Sequence, residues 1–194
     1  NEPAVVAWLG YEMGVHAPGI KDLSASLRAA HHLLLSHGMS VPVIRNNSKD
    51  AEVGITLNIG WKVPASNSKM DMDAARLDDG KWFRWFADPL YGRGYPSDMT
   101  KYFTQLGGAP NGLDFVQSGD LETIAVPTDF IGLNYYGRNL HRVEDPNNGP
   151  QLFFPHPKTP EHWTEMDWEN YPEGLTGILG RVYFDYTPLK IYIT

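Results

Sequence analysis

Glu2 is the first residue with chemical prospects, because a carboxyl group can hand a proton to a departing oxygen and later take one from water. It stands in the tripeptide Asn1-Glu2-Pro3. A double displacement at carbon uses two such carboxyl groups about 5–5.5 Å apart, one attacking the carbon and the other serving as acid and then base. Glu2 suits the second role. Three residues recur by chance, so on the tripeptide alone a solvated glutamate is the competing reading. A second acidic pair, Glu169 and Glu173, stands four apart with Pro172 between, and reads as a helix entry, where acids favour the positive end of the macrodipole. His31, His32 and His37 invite metal ligation. Their successive spacings of one and five do not bring three ligands to one helical face, so packed or solvated histidines are expected, with no metal and no cofactor.

These groups depend on the elements that carry them. Residues 22–37 place Leu23, Leu27, Ala30 and Leu34 at spacings of four, three and four, which predicts an amphipathic helix ended by Gly38. Residues 52–59 are short and largely apolar, as expected of a strand covered on both faces in a parallel sheet. After a turn at Pro64 and residues 66–68, a second helix is predicted over 68–86, with Met70, Ala74 and Leu77 on one face and an interruption at Asp78-Asp79-Gly80. A third begins at Tyr95-Pro96-Ser97-Asp98, carries Met99, Tyr102, Phe103 and Leu106, and stops at Gly107-Gly108; a short one is expected over 120–124. Residues 128–135 predict another buried strand, on which Asn134 and Tyr136, two apart, point to the same side at its end. A capping aromatic at a strand end is the competing reading of Tyr136. Residues 137–168, rich in Pro, Asn and His, show no periodicity and read as a long loop. Pro172 then opens a helix with Leu175, Ile178, Leu179, Val182 and Tyr183 on one face, and residues 189–193 form a last strand. Such alternation of strands and helices argues for an α/β parallel sheet with crossover connections.

Composition narrows the partners. The 194 residues are 42% hydrophobic and 12% aromatic, which permits a sizeable core, and six tryptophans and ten tyrosines fit a sugar-binding cleft or a plain core equally well. A net charge of −7 without a basic run lacks the electrostatic footprint of a nucleic-acid binder. No apolar run approaches the roughly 20 residues of a membrane span. The absence of cysteine excludes disulfides and thiolate catalysis and fits a reducing compartment, so a cytoplasmic location is expected.

Longer motifs decide between the readings of Glu2. Downstream run Gly10-Tyr11-Glu12-Met13-Gly14-Val15-His16-Ala17-Pro18-Gly19, then Ala29-Ala30-His31-His32 and Ser36-His37-Gly38. Further blocks are Gly54-Ile55-Thr56-Leu57-Asn58, Trp85-Phe86 with Asp88-Pro89-Leu90 and Tyr95-Pro96, the run from Asp129-Phe130-Ile131 through Gly132-Leu133-Asn134-Tyr135-Tyr136, and Trp168-Glu169 with Tyr171-Pro172-Glu173-Gly174-Leu175. In order and spacing they resemble glycoside hydrolase family 1, the β-glucosidase superfamily of (β/α)8 barrels, over nearly the whole chain. The resemblance implies that Asn1-Glu2-Pro3 closes barrel strand 4 with the acid/base Glu2. It implies that Leu189-Lys190-Ile191-Tyr192-Ile193-Thr194 belongs to strand 7 and stops just before the nucleophile of an Ile-Thr-Glu-Asn-Gly motif. A whole barrel takes about 250 residues, so residues 1–194 are expected to form an incomplete single (β/α)8-barrel catalytic domain, from the end of strand 4 to strand 7.

By position, Asn1 resembles the asparagine that binds the sugar 2-hydroxyl. Tyr136 resembles the tyrosine that orients the nucleophile, with Asn134 on the same strand end, and Asn58 is a further strand-end residue able to face the cleft. Trp168 resembles a tryptophan that stacks on the leaving-group sugar, although the family often has glycine before it and this chain has Asp167; for this residue core packing and substrate contact both stay open. The implied activity is hydrolysis of terminal β-D-glucosyl or galactosyl residues of small β-glycosides by a retaining double displacement. It belongs to a longer parent enzyme, and the 194 residues alone are expected to be inactive. A non-catalytic carbohydrate-binding module and a 6-phospho-β-glycosidase are the alternatives.

Overall fold

The computed structural model describes residues 1–145, 151–153 and 159–194. A widely wound π-helical segment, Val5–Glu12, is followed by α1 (Leu23–Asn47), β1 (Gly54–Asn58), β2 (Trp61–Pro64) and α2 (Lys69–Asp79). A second π segment, Gly80–Arg84, leads into α3 (Trp85–Leu90), then α4 (Ser97–Gln105), α5 (Asp120–Ile124), β3 (Phe130–Asn134), β4 (Arg138–Arg142), β5 (Gln151–Phe153), α6 (Glu173–Tyr186) and β6 (Ile191–Ile193). Among these residues no helix is long and apolar enough to cross a membrane.

The strands β1, β3 and β6 form one parallel sheet in that order. The Glu2 backbone N–H donates to the Thr56 carbonyl at 2.9 Å, which ties the N-terminus to β1. Gly132 allows the close approach of β3 to β1, since a Cβ there would lie 2.2 Å from Thr56 Oγ1. Helices cover the sheet through a core that includes Trp8, Trp85, Phe86, Phe103, Ile131 and Leu133, all essentially inaccessible to solvent. Trp8 meets Phe86 edge-on at 5.8 Å and Trp85 meets Phe103 at 4.8 Å, geometries that aromatic quadrupoles favour.

Three expectations from the sequence are corrected. The first helix does not stop at Gly38 but runs as α1 to Asn47, through Pro42. Gly38 is a packing glycine: a Cβ would lie 2.1 Å from the Thr123 carbonyl oxygen, next to α5. Pro42 has no N–H for the Gly38 carbonyl four residues back. Over 68–86, Asp78-Asp79-Gly80 does not interrupt the winding, which widens into π turns; a Cβ on Gly80 would meet Met99 Sδ at 2.3 Å. Within α2, Ala74 and Ala75 are buried whereas Met70 is exposed. Residues 137–168 are not one loop. They contain β4 and β5, which join β2 in a second sheet of order β2-β4-β5, while parts of the stretch lie outside the described residues. The expected helices over 97–105, 120–124 and from Pro172 onward are present, the last with Pro172 at its N-cap and Tyr183 exposed.

An arginine fastens the π segment to its neighbours. Arg84 donates to Asp79 at 3.0 Å through Nε, and to Asp98 at 3.0 and 2.9 Å through Nη1 and Nη2, while Arg181 of α6 also grips Asp79. The hydrogen bond from Arg84 holds the Asp98 carboxyl below the usual carboxylate range. A depressed carboxylate contributes stability that is present above its unfolded pKa, about 3.9, and is lost as pH falls through the folded value. We expect the melting temperature to fall as pH drops below about 4, with a shallower slope in Arg84→Met. An unchanged slope would remove Asp98 from the acid response.

Candidate active site

The register of the parallel sheet sets the level of the site. Asn58 lies opposite Asn134, and Leu133 opposite Ile193, so β1, β3 and β6 end together and Thr194 arrives beside Asn134. At this carboxyl end Asn134, only 6% exposed, donates through Nδ2 to Glu2 Oε1 at 2.6 Å and to Asn1 Oδ1 at 3.2 Å. The Tyr136 hydroxyl donates to the same Glu2 oxygen at 3.0 Å, and Thr194 Oγ1 donates to Asn134 Oδ1 at 2.6 Å. The Glu2 carboxylate, an acceptor, draws the NH2 end of the Asn134 amide toward itself and leaves Oδ1 to accept from the Thr194 hydroxyl. Burial and the neighbouring Glu2 carboxylate push the Tyr136 hydroxyl above its ordinary pKa, which keeps it a donor. Glu2 itself has φ +46°, in the left-handed region that side chains avoid. Such strain costs of order 1–3 kcal/mol and persists where surrounding contacts hold it.

Tyr136 thus bonds Glu2 among the residues present. From the sequence it was expected to orient a nucleophile. Trp168 joins the group through its ring, 4.9 Å from that of Tyr136. Asn58, Gly60, Tyr136 and Trp168 line a cleft of about 340 Å³. Another hollow, of about 490 Å³, lies at the opposite end of β3 and β6 beside Phe130 and Leu189, away from the strand ends that carry chemistry in barrels.

Trp168 is set by a tight turn and an ion pair. The Thr164 N–H donates to the Trp168 carbonyl at 2.9 Å, and Asp167 takes φ +60° to close the turn. This left-handed conformation suits glycine, and aspartate adopts it at a cost. Asp167→Gly should stabilise the fold by about 0.5–1 kcal/mol, read as a raised urea midpoint; a lowered midpoint would mean that the aspartate side chain contributes more than the backbone loses.

Glu169, read from the sequence as a helix-entry acid, is instead buried and bidentate with Arg138, whose Nε and Nη2 reach its two oxygens at 2.8 and 2.6 Å. The Arg138 guanidinium also lies 4.0 Å from the centroid of the Tyr171 ring. Glu173 does begin α6. The histidines go to separate surroundings: His31 is buried between Tyr95 OH (3.0 Å) and Asp120 Oδ2 (2.9 Å), and His32 bonds the Arg28 carbonyl. Thr194 and the Arg138–Glu169 pair were not singled out from sequence. Thr194 could have been found by counting strand ends to one level, whereas nothing local marks a pair 31 residues apart.

A wall of parallel strands joined through helices, whose carboxyl ends converge on a restrained glutamate beside an aromatic cleft, is part of a (β/α)8 barrel. The chain belongs to glycosyl hydrolase family 1, whose profile matches residues 1–194. Beta-glucosidase A of Acetivibrio thermocellus is 39% identical over the whole chain, which covers 42% of that protein. The 1,4-beta-D-glucan glucohydrolase of Thermotoga neapolitana is 37% identical, with all of this chain and 44% of the relative covered. The crystal structure of a beta-glucosidase from Exiguobacterium marinum superposes with a TM-score of 0.89 at 37% identity, over the whole chain and 43% of that structure. The chain therefore spans about two fifths of the length of the curated relatives it matches.

Proposed function

We propose that the longer protein containing this chain is a retaining β-glycosidase that removes terminal β-D-glucosyl, or galactosyl, residues from small β-glycosides. The observation that carries this reading is the Glu2 carboxyl held by Asn134 and Tyr136 at the common carboxyl end of the strands. In the first step Glu2 gives its proton to the departing glycosidic oxygen while a second carboxylate, outside these 194 residues, bonds the anomeric carbon. In the second step Glu2 takes a proton from water as the water oxygen bonds the anomeric carbon and the bond from that carbon to the second carboxylate breaks, releasing the sugar. Asn1 binds the 2-hydroxyl, a contact that strengthens at the transition state. Trp168, 41% exposed beside Tyr136, offers its ring to the leaving-group sugar. The chemistry uses side chains alone, without metal or cofactor, and a cytoplasmic location is part of the same reading.

Turnover of an aryl β-glucoside by the full-length protein tests the assignment. Sugar binding without turnover would favour the binding-module alternative. The 194-residue chain alone should show no turnover. Among the described residues Glu2 is the one carboxylate in its hydrogen-bonded group, and retention needs two. Hydrolysis by the isolated chain that Glu2→Gln abolishes would overturn this.

A further inference from the structure

The hollow at the other end of the sheet, of about 490 Å³, falls in the range of small-molecule sites, about 300–1,000 Å³. Three connections enclose it: the exit from α3 at Tyr91, Gly92 and Arg93, the link from α5 to β3, and the link from α6 to β6. The two-carboxyl chemistry at the opposite strand ends makes no use of it.

Arg93 is its distinctive group. The guanidinium carbon lies 4.6 Å from the centroid of the buried Tyr186 ring, and Nη2 donates to the Asp185 backbone carbonyl. Stacking and that bond hold the planar group in place before any ligand arrives. The acids nearby are engaged elsewhere. Asp88 accepts from the Tyr186 hydroxyl at 2.6 Å, and the Asp185 carboxylate faces Arg181 Nε at 3.4 Å. Among the described residues no carboxylate pairs with Arg93, so its charge and the N–H groups on Nε and Nη1 remain for an incoming anion.

Neutral donors and apolar walls complete the hollow. Thr128 and Thr187 line it, and burial pushes the Tyr91 hydroxyl up to about 12, so that it stays protonated as a donor. Leu90, Phe130 and Pro188 form apolar walls. Thr187 takes φ +45° in the wall, a strained conformation of the kind that collects at ligand clamps. One cation near Asp88 and Asp185 suits a single negative charge, since a phosphate dianion would meet repulsion from both acids. We propose that this hollow binds a small carboxylate with an apolar body, its charge on Arg93 and its body against Leu90, Phe130 and Pro188. The site stands apart from Glu2, and the proposal holds whether or not the longer protein hydrolyses glycosides.

Calorimetric titration of the full-length protein with sodium benzoate tests this. Saturable binding is expected, and Arg93→Met, which keeps the apolar stem, should weaken it by about 10–100-fold, the worth of a hydrogen bond to a charged group. Benzyl alcohol, of similar shape without the charge, should bind at least about tenfold more weakly than benzoate, and so should acetate, which lacks the ring. Glu2→Gln should bind benzoate as the unsubstituted protein does, because the hollow lies at the other end of the strands. Leu189→Glu places a competing carboxylate at an exposed lining position and should also weaken binding about tenfold; it decides the matter if Arg93→Met fails to fold. The proposal is overturned by the absence of saturable binding, by binding that survives these two substitutions, or by binding lost in Glu2→Gln. Benzyl alcohol or inorganic phosphate binding as tightly as benzoate overturns it as well.

Discussion

Glu2→Gln in the full-length enzyme is expected to lower turnover of an alkyl β-glucoside by about 10²–10⁴-fold, the usual contribution of a positioned acid and base. The substitution is close to isosteric, and the amide oxygen can still accept from Asn134 and Tyr136, which now meet on Glu2 Oε1. What it loses is the transferable proton. An aryl glucoside with an acidic phenol should lose much less in the first step, because a phenolate departs without being protonated. Its second step should still slow, since water is no longer activated, so kcat falls while kcat/KM is largely kept. Equal losses for alkyl and aryl substrates would argue that the substitution disturbs the site rather than the proton transfer. A loss of less than about tenfold on the alkyl substrate would remove Glu2 from the mechanism.

The Arg138–Glu169 pair should show the largest stability effect near the site. Their side chains are 14% and 5% exposed, and removal of one partner leaves the other buried without compensation. Such a change typically costs about 3–5 kcal/mol. Glu169→Ala in the full-length enzyme should therefore shift its urea midpoint strongly. Replacing both partners, as Arg138→Met with Glu169→Met, should recover much of the loss, because two apolar side chains do not leave a lone charge. The pair also anchors Trp168, the residue before Glu169, so the single substitution should raise KM for substrates with a sugar leaving group. A stability loss below about 1 kcal/mol would mean that water reaches the pair and screens it.

Several elements were legible because they depend on local pattern. The apolar runs at residues 52–59 and 128–135 became β1 and β3, and the four-three-four spacing became the inward face of α1, where Leu27, Ala30 and Leu34 are buried and Leu23 is partly buried. Where the reading failed, a rule about one residue was overruled by its neighbours. Gly38 looks like a helix stop, yet it is where α1 passes the Thr123 carbonyl. The second sheet was hidden because β2 and β4 are short and half-buried, with Lys62 paired to Asn139 across them instead of an apolar alternation.

For the candidate site the division is sharper. Sequence alone determined the motif blocks and the strand ends that carry Asn134 and Tyr136, since these follow from order, spacing and a two-residue period, and it offered Glu2 as the candidate acid. Tertiary structure decided which groups meet. Asn134 is 132 residues from Glu2 along the chain and 2.6 Å from it in space. Thr194 comes to that asparagine, and Glu169 is claimed by Arg138 rather than by the end of α6. Those pairings depend on parallel register and on burial, where an unpaired charge is costly, and neither is encoded at any single position.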